Sequence, residues 1–253
     1  MSGLSFGLLG SGEFEPWNDE VDRWLLDRAT GDGSVLILPT ASAAEGDEVF
    51  DRWADMGLEH YRRTGVAARV LPLKTRDDAG RPDLAAMLDR ASMAFFSGGN
   101  PAYLAGVLSG TPFWAALVAA MGRGLAYAGC SAGVACLGEV APDSSVENPS
   151  SGDVWRPGLR LFPEVYFGPH WDALDRFFPG LQGLFLAAVP PGCRLLAIDE
   201  RTAVIGDGTR WSVVGSGLAH LLEDGTLLEF ASGASFEAGL TSAEALAAAA
   251  SRG

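Results

Sequence analysis

The chain has 253 residues, 48% of them hydrophobic, enough to bury a sizeable core, and it reads as one domain spanning 1–253. A formal charge of -14 argues against a surface that tracks nucleic-acid phosphates, which needs clustered Lys and Arg, and points to a small molecule or peptide as the partner. Cys130, Cys136 and Cys193 are odd in number and lack paired metal spacing, and the apolar run Leu4 to Leu9 is short and has no basic residues before it; the expectation is a cytoplasmic protein with reduced thiols, no metal, no cofactor and no membrane partner.

In chain order, Leu4 to Leu9, Val35 to Leu38, Arg69 to Leu73, Met93 to Phe96 and Leu125 to Tyr127 are predicted strands. Helical patterns fill the gaps over Asp19 to Ala29, Gly46 to Thr64, Pro82 to Ser92 and Pro101 to Met121, the last broken near Gly110. The Gly-, Pro- and Ser-rich stretch 141–158 reads as loop. Leu195 to Ile198, Thr202 to Ile205, Ser212 to Val214, Leu218 to Leu222 and Thr226 to Phe230 are predicted as short strands, and Ser242 to Ser251 as a closing helix. This alternation predicts a doubly wound α/β fold: a mostly parallel central sheet, helices on both faces and a late antiparallel edge.

The most informative stretch is Gly129-Cys130-Ser131-Ala132-Gly133, where a predicted strand gives way to a helix. A Gly-x-Ser-x-Gly turn of this kind is a nucleophile elbow: the strained serine exposes its hydroxyl, and side chains two positions either side would collide. The Ala132 N–H could serve an oxyanion there, and Ser97-Gly98-Gly99-Asn100-Pro101, after another predicted strand, could supply a second donor. Gly10-Ser11-Gly12 lacks the third glycine of a dinucleotide fingerprint and reads as a tight turn.

A serine nucleophile needs a base. The only lysine is Lys74, just beyond the third predicted strand. Of three histidines, His60 falls on a charged helical pattern that reads as surface, His220 alternates along a late strand, and His170 sits at a loop-to-helix junction where its ring can be aimed inward. His170 is therefore the favoured base. The order Ser131, Asp199, His220 would also fit an α/β-hydrolase acting as an esterase or acyl hydrolase, and the fold could instead serve as a non-catalytic small-molecule-binding or amidotransferase-like protein.

The Gly98-Gly99-Asn100 loop, the elbow, His170, Ile198-Asp199-Glu200-Arg201-Thr202-Ala203 and Val214-Gly215-Ser216-Gly217 together resemble the dipeptidase E and cyanophycinase family of serine peptidases. The resemblance covers most of the chain and implies a fold like class I glutamine amidotransferases, with serine in place of the cysteine nucleophile. It implies a Ser-His-acid hydrolase of small or unusual peptides, often containing aspartate, with Ser131 as nucleophile, His170 as base, and Gly99 and Ala132 as oxyanion donors. Family spacing puts the triad acid in the loop after the elbow helix, where Glu147 matches best and Asp143 and Asp153 are rivals. Dipeptidase E recognises an N-terminal aspartyl residue, so a cation and an acid are expected in the pocket; Arg176, Arg156 and Glu13 are the candidates, with Asn100 beside the oxyanion loop as a further substrate contact. Cyanophycinases follow their histidine with several arginines suited to an aspartate-arginine polymer, whereas Trp171-Asp172-Ala173-Leu174-Asp175-Arg176 supplies two acids and one Arg. A homodimer is compatible with this reading.

Overall fold

In the computed structural model, which describes residues 3–251, the early apolar runs become parallel strands: β1 (Phe6–Leu9), β2 (Val35–Leu38), β3 (Ala68–Val70), β4 (Met93–Phe96) and β5 (Ala126–Cys130). Between them run α1 (Asp19–Leu26), α2 (Asp47–Thr64), α3 (Pro82–Ala86), α4 (Pro101–Leu108) and α5 (Pro112–Gly122). Every residue of β1, β2, β4 and β5 is buried, because a sheet covered on both faces has no polar side. Alternation still sorts the side chains: Phe6, Leu8, Leu38, Phe96 and Tyr127 enter one core, and Leu9, Ile37, Phe95 and Cys130 enter another with Val21, Leu25 and Tyr61 of α1 and α2.

The expected break near Gly110 separates α4 from α5, whose axes meet at 92°. Asn100 and Thr111 cap the two helices through their side-chain oxygens, each followed by proline at the first helical position. No single helix among the described residues is long and apolar enough to cross a membrane.

Beyond the elbow come α6 (Ala132–Ala135), β6 (Val140–Pro142), β7 (Trp155–Pro157), β8 (Val165–Pro169), α7 (Leu174–Phe177) and α8 (Leu181–Ala188). They are followed by β9 (Arg194–Ile198), β10 (Thr202–Gly206), β11 (Arg210–Gly215), β12 (Leu218–Glu223), β13 (Thr226–Ala231), β14 (Ser235–Glu237) and α9 (Ala243–Ala250). The main sheet has the order β14-β11-β10-β1-β5-β4-β2-β3, parallel from β1 to β3 and antiparallel through β10, β11 and β14, so the late antiparallel edge is present.

Not every late strand joins that edge. β9, β12 and β13 combine with β8 in a separate sheet of order β13-β12-β9-β8. β8 escapes a reading of the sequence because Val165-Tyr166-Phe167-Gly168-Pro169 ends in a Gly-Pro turn signal, yet all five residues are buried. It pairs in parallel with β9, setting Pro169 opposite Ile198 and bringing the ends of the two strands together. The stretch 141–158 is likewise not all loop, since the short β6–β7 hairpin closes it. His60 is also not on the surface: it is 2% exposed, with Nε2 2.6 Å from Asp22 Oδ2 and Nδ1 3.1 Å from the Phe14 carbonyl, tying α2 to α1.

Candidate active site

Three strand ends build the site. Ser131 follows β5, His170 follows β8, and Glu200 lies in the turn between β9 and β10. Ser131 has φ 50 and ψ -104, and His170 has φ 54 and ψ 33, both positions that non-glycine residues seldom occupy. The surrounding packing holds the elbow in that geometry. A Cβ on Gly129 would lie 2.4 Å from the Gly133 carbonyl oxygen, and one on Gly133 would lie 2.4 Å from the Phe96 carbonyl oxygen, so close backbone approach requires glycine at both places. The buried Tyr127 hydroxyl donates to the Gly133 carbonyl at 2.6 Å and locks the turn from beneath.

His170 Nε2 is 2.9 Å from Ser131 Oγ, and His170 Nδ1 is 3.2 Å from Glu200 Oε1. The expected partnership of Ser131 with His170 is thus present as geometry, while the expectation for Glu147 needs correction. Glu147 is exposed in the cavity wall, and among the described residues no hydrogen bond links it to the ring. The reason is topological: parallel pairing of β8 with β9 delivers the residues after both strands to the same place, whereas the loop after the elbow helix belongs to neither strand. Asp172 strengthens this arrangement by accepting the Glu200 N–H at 2.8 Å, which latches the histidine turn to the acid turn. Asp143 and Asp153 do not contact the ring either. Asp143 accepts from Asn100 Nδ2 at 2.9 Å and from Ser145, whose hydroxyl chiefly holds the Asp143 carboxyl below the usual carboxylate range, followed by Asn100.

The Gly98-Gly99 turn lies against the elbow. Gly99 has φ 141, and a Cβ there would fall 2.3 Å from the Ala41 carbonyl carbon. Among the described residues, neither the Gly99 nor the Ala132 N–H donates a hydrogen bond within the protein. Glu13 is placed behind this turn rather than in the substrate cavity. It is 6% exposed, with Oε1 accepting the Gly98 N–H at 2.8 Å and Oε2 accepting the Cys130 thiol at 2.9 Å. Burial pushes that thiol well above its ordinary range, as does the neighbouring Glu13 carboxylate, so it is a donor and not a nucleophile.

The other residues expected at the substrate do not line the cavity at Ser131. Asn100 spends its amide capping α4 and holding Asp143, and it faces a neighbouring groove. Arg176 is exposed on α7 and does not line the cavity at Ser131, while Arg156 lines the neighbouring groove with Nη2 3.7 Å from Asp143 Oδ2. His220 is buried with Nε2 2.9 Å from Asp199 Oδ1, so the pair expected for the α/β-hydrolase order exists, but His170 occupies the position at the serine hydroxyl. Glu200 is the functional candidate that sequence reasoning missed. Its signal was present in a carboxylate just beyond a strand, and it became decisive only once β8 was known to lie beside that strand.

Comparisons with known proteins show the family. Residues 6–214 match peptidase family S51. Cyanophycinases of Trichormus variabilis and Nostoc sp. are each 28% identical over 227 residues, covering 85% of this chain and 72% of theirs, and that of Geminocystis herdmanii is 26% identical over 203 residues, covering 75% and 72%. Among solved structures, a peptidase from an acI-B1 Actinobacterium superposes with a TM-score of 0.83 at 28% identity, covering 93% of this chain and 97% of that one. A putative peptidase E protein from Listeria monocytogenes shares the fold, with a TM-score of 0.59 at 16% identity over 84% of this chain and 98% of that one. A half-buried serine on a strained turn, a histidine at its hydroxyl and a family match over most of the chain lead to one conclusion: the chain belongs to peptidase family S51 and is a serine-type peptidase.

Proposed function

We propose that Ser131, His170 and Glu200 form the catalytic triad of a peptidase that cleaves short peptides through an acyl-enzyme. The observation that carries this reading is the 2.9 Å contact between His170 Nε2 and the hydroxyl of a serine held at positive φ. Ser131 Oγ attacks the scissile carbonyl carbon while its proton passes to His170 Nε2. The resulting oxyanion is received by the N–H groups of Gly99 and Ala132, the latter at the start of α6. Collapse breaks the C–N bond, and His170 returns the proton to the departing amine. Water then enters by the same route and bonds to the acyl carbon as it loses a proton to His170; a second collapse breaks the ester C–O bond, and His170 returns the proton to Ser131 Oγ as the acid product leaves. Glu200 fixes the tautomer that leaves Nε2 free to accept, and it stabilises the imidazolium at each proton transfer.

A fluorophosphonate probe tests this reading without knowledge of the substrate. The folded protein should be labelled on Ser131, and Ser131→Ala should lose both labelling and at least about a thousandfold of peptidase turnover, as loss of a triad nucleophile does. A folded wild-type protein that does not react, or a Ser131→Ala variant with unchanged turnover, would remove the basis of the proposal.

A further inference from the structure

The cavity that opens at Ser131 says what kind of residue the enzyme acylates itself with. It has a volume of about 320 Å³ and reaches from Gly99 and His170 to the first turns beyond the histidine. Its walls are largely apolar, with Pro142, Val154, Leu174, Phe178, Leu181 and Phe185 among them. Its charged lining, apart from the histidine, consists of Asp143 and Glu147; among the described residues no Lys or Arg lines it. Arg156 lines the adjoining groove, with Nη2 3.7 Å from Asp143 Oδ2.

We propose, building on the serine-peptidase reading above, that this cavity receives the N-terminal residue of a peptide with a large apolar side chain and a free ammonium group. Side-chain chemistry follows from the walls: a leucyl or phenylalanyl group gives up hydration there and gains contact, whereas an aspartyl carboxylate would be stripped of water with no cation to meet it. Polarity of the main chain follows from the acids. A C-terminal residue would bring its own carboxylate towards Asp143 and Glu147, while an N-terminal residue brings an ammonium, which Glu147 in the cavity wall can meet. The cavity therefore binds the acyl side of the scissile bond. Its volume lies at the small end of the range for small-molecule sites, roughly 300–1,000 Å³, which suits one residue and part of the next.

Aminoacyl arylamides sharing one leaving group separate these features. Leucyl and phenylalanyl arylamides should exceed the alanyl compound by about a hundredfold in kcat/KM, the scale on which an apolar pocket discriminates missing methylenes. The aspartyl compound should be poorer than the alanyl one. N-acetylation of the phenylalanyl compound should raise KM, and Glu147→Gln should raise KM for the free amine with little change in kcat. If Ser131 is labelled by the fluorophosphonate but aspartyl arylamide is best, if apolar side chains give no advantage over alanine, or if no arylamide in the series is turned over, the substrate class is wrong while the serine chemistry stands. Preference for the N-acetylated compound overturns the ammonium assignment and so the proposal as stated. Absence of labelling in the folded protein removes the underlying peptidase reading, and this inference falls with it.

Discussion

Replacing Glu200 by Gln changes a single interaction at the site, the 3.2 Å approach of its carboxylate to His170 Nδ1. The glutamine is isosteric and keeps the Glu200 main-chain bonds to Asp172 and Thr202. In the transition state the imidazole is charged, and a carboxylate at that distance stabilises it by about 5 kcal/mol at an effective dielectric of about 20. The Glu200 side chain is 37% exposed and that of His170 25%, so solvent screening reduces the contribution by roughly half, to about 2–3 kcal/mol. At about 1.4 kcal/mol per decade, kcat should fall by about a hundredfold. A Gln amide that donates to Nδ1 would also stabilise the tautomer with hydrogen on Nε2, which cannot accept from serine, and this pushes the loss towards about ten-thousandfold. The assay is kcat on the best arylamide together with the second-order rate of fluorophosphonate labelling, compared side by side with Glu147→Gln. Turnover of Glu200→Gln within about threefold of wild type, or a slower kcat for Glu147→Gln than for Glu200→Gln, would refute the assignment of the acid.

Glu13→Ala removes the buried acceptor of the Gly98 N–H and should lower kcat by about tenfold or more with little change in KM, through a displaced Gly99 donor, while Glu13→Gln should recover most of that loss; equal kcat for Glu13→Ala and wild type would show that the turn holds itself. His220→Ala should cost about 1–3 kcal/mol in a denaturant titration, because Asp199 loses a buried partner, yet leave kcat within about threefold, whereas His170→Ala should abolish turnover; the reverse pattern would reinstate the α/β-hydrolase order. Thiol reactivity follows burial: the Cys130 thiol is pushed well up and that of Cys136 up to about 12, both chiefly by burial, so iodoacetamide at about pH 8 should modify Cys193 in the folded protein and reach Cys130 and Cys136 only after denaturation, as read by peptide mass mapping.

The parts of the site that the sequence made legible are those whose constraint is local. Ser131 could be found because Gly129 and Gly133 are needed within four residues of one another, each to admit a backbone carbonyl at a distance no side chain would allow. His170 could be found because a turn and a helix start flank it directly, and the strands β1, β2, β4 and β5 because burial on both faces leaves an uninterrupted apolar run. Glu200 has no comparable signature. Its role depends on β8 lying beside β9, a pairing between segments about thirty residues apart that periodicity does not encode, and the strand that makes the pairing ends in Gly168-Pro169.

Glu13 and His60 carry the same lesson in the other direction. Both are polar residues whose local pattern suggests exposure, and both are buried because a distant partner satisfies them: the Gly98 N–H and the Cys130 thiol for Glu13, Asp22 for His60. A buried polar group with its partners in place can be kept at modest net cost, but losing one partner is expensive, so such residues fix the position of what they touch. For His60 that is the packing of α2 on α1. For Glu13 it is the Gly98-Gly99 turn beside Ser131, and the carboxylate read from the sequence as a substrate contact does not line the cavity at Ser131. Among the described residues, the cavity at Ser131 has two acids and no Lys or Arg in its wall, so the cation expected for an aspartyl substrate is not part of that lining.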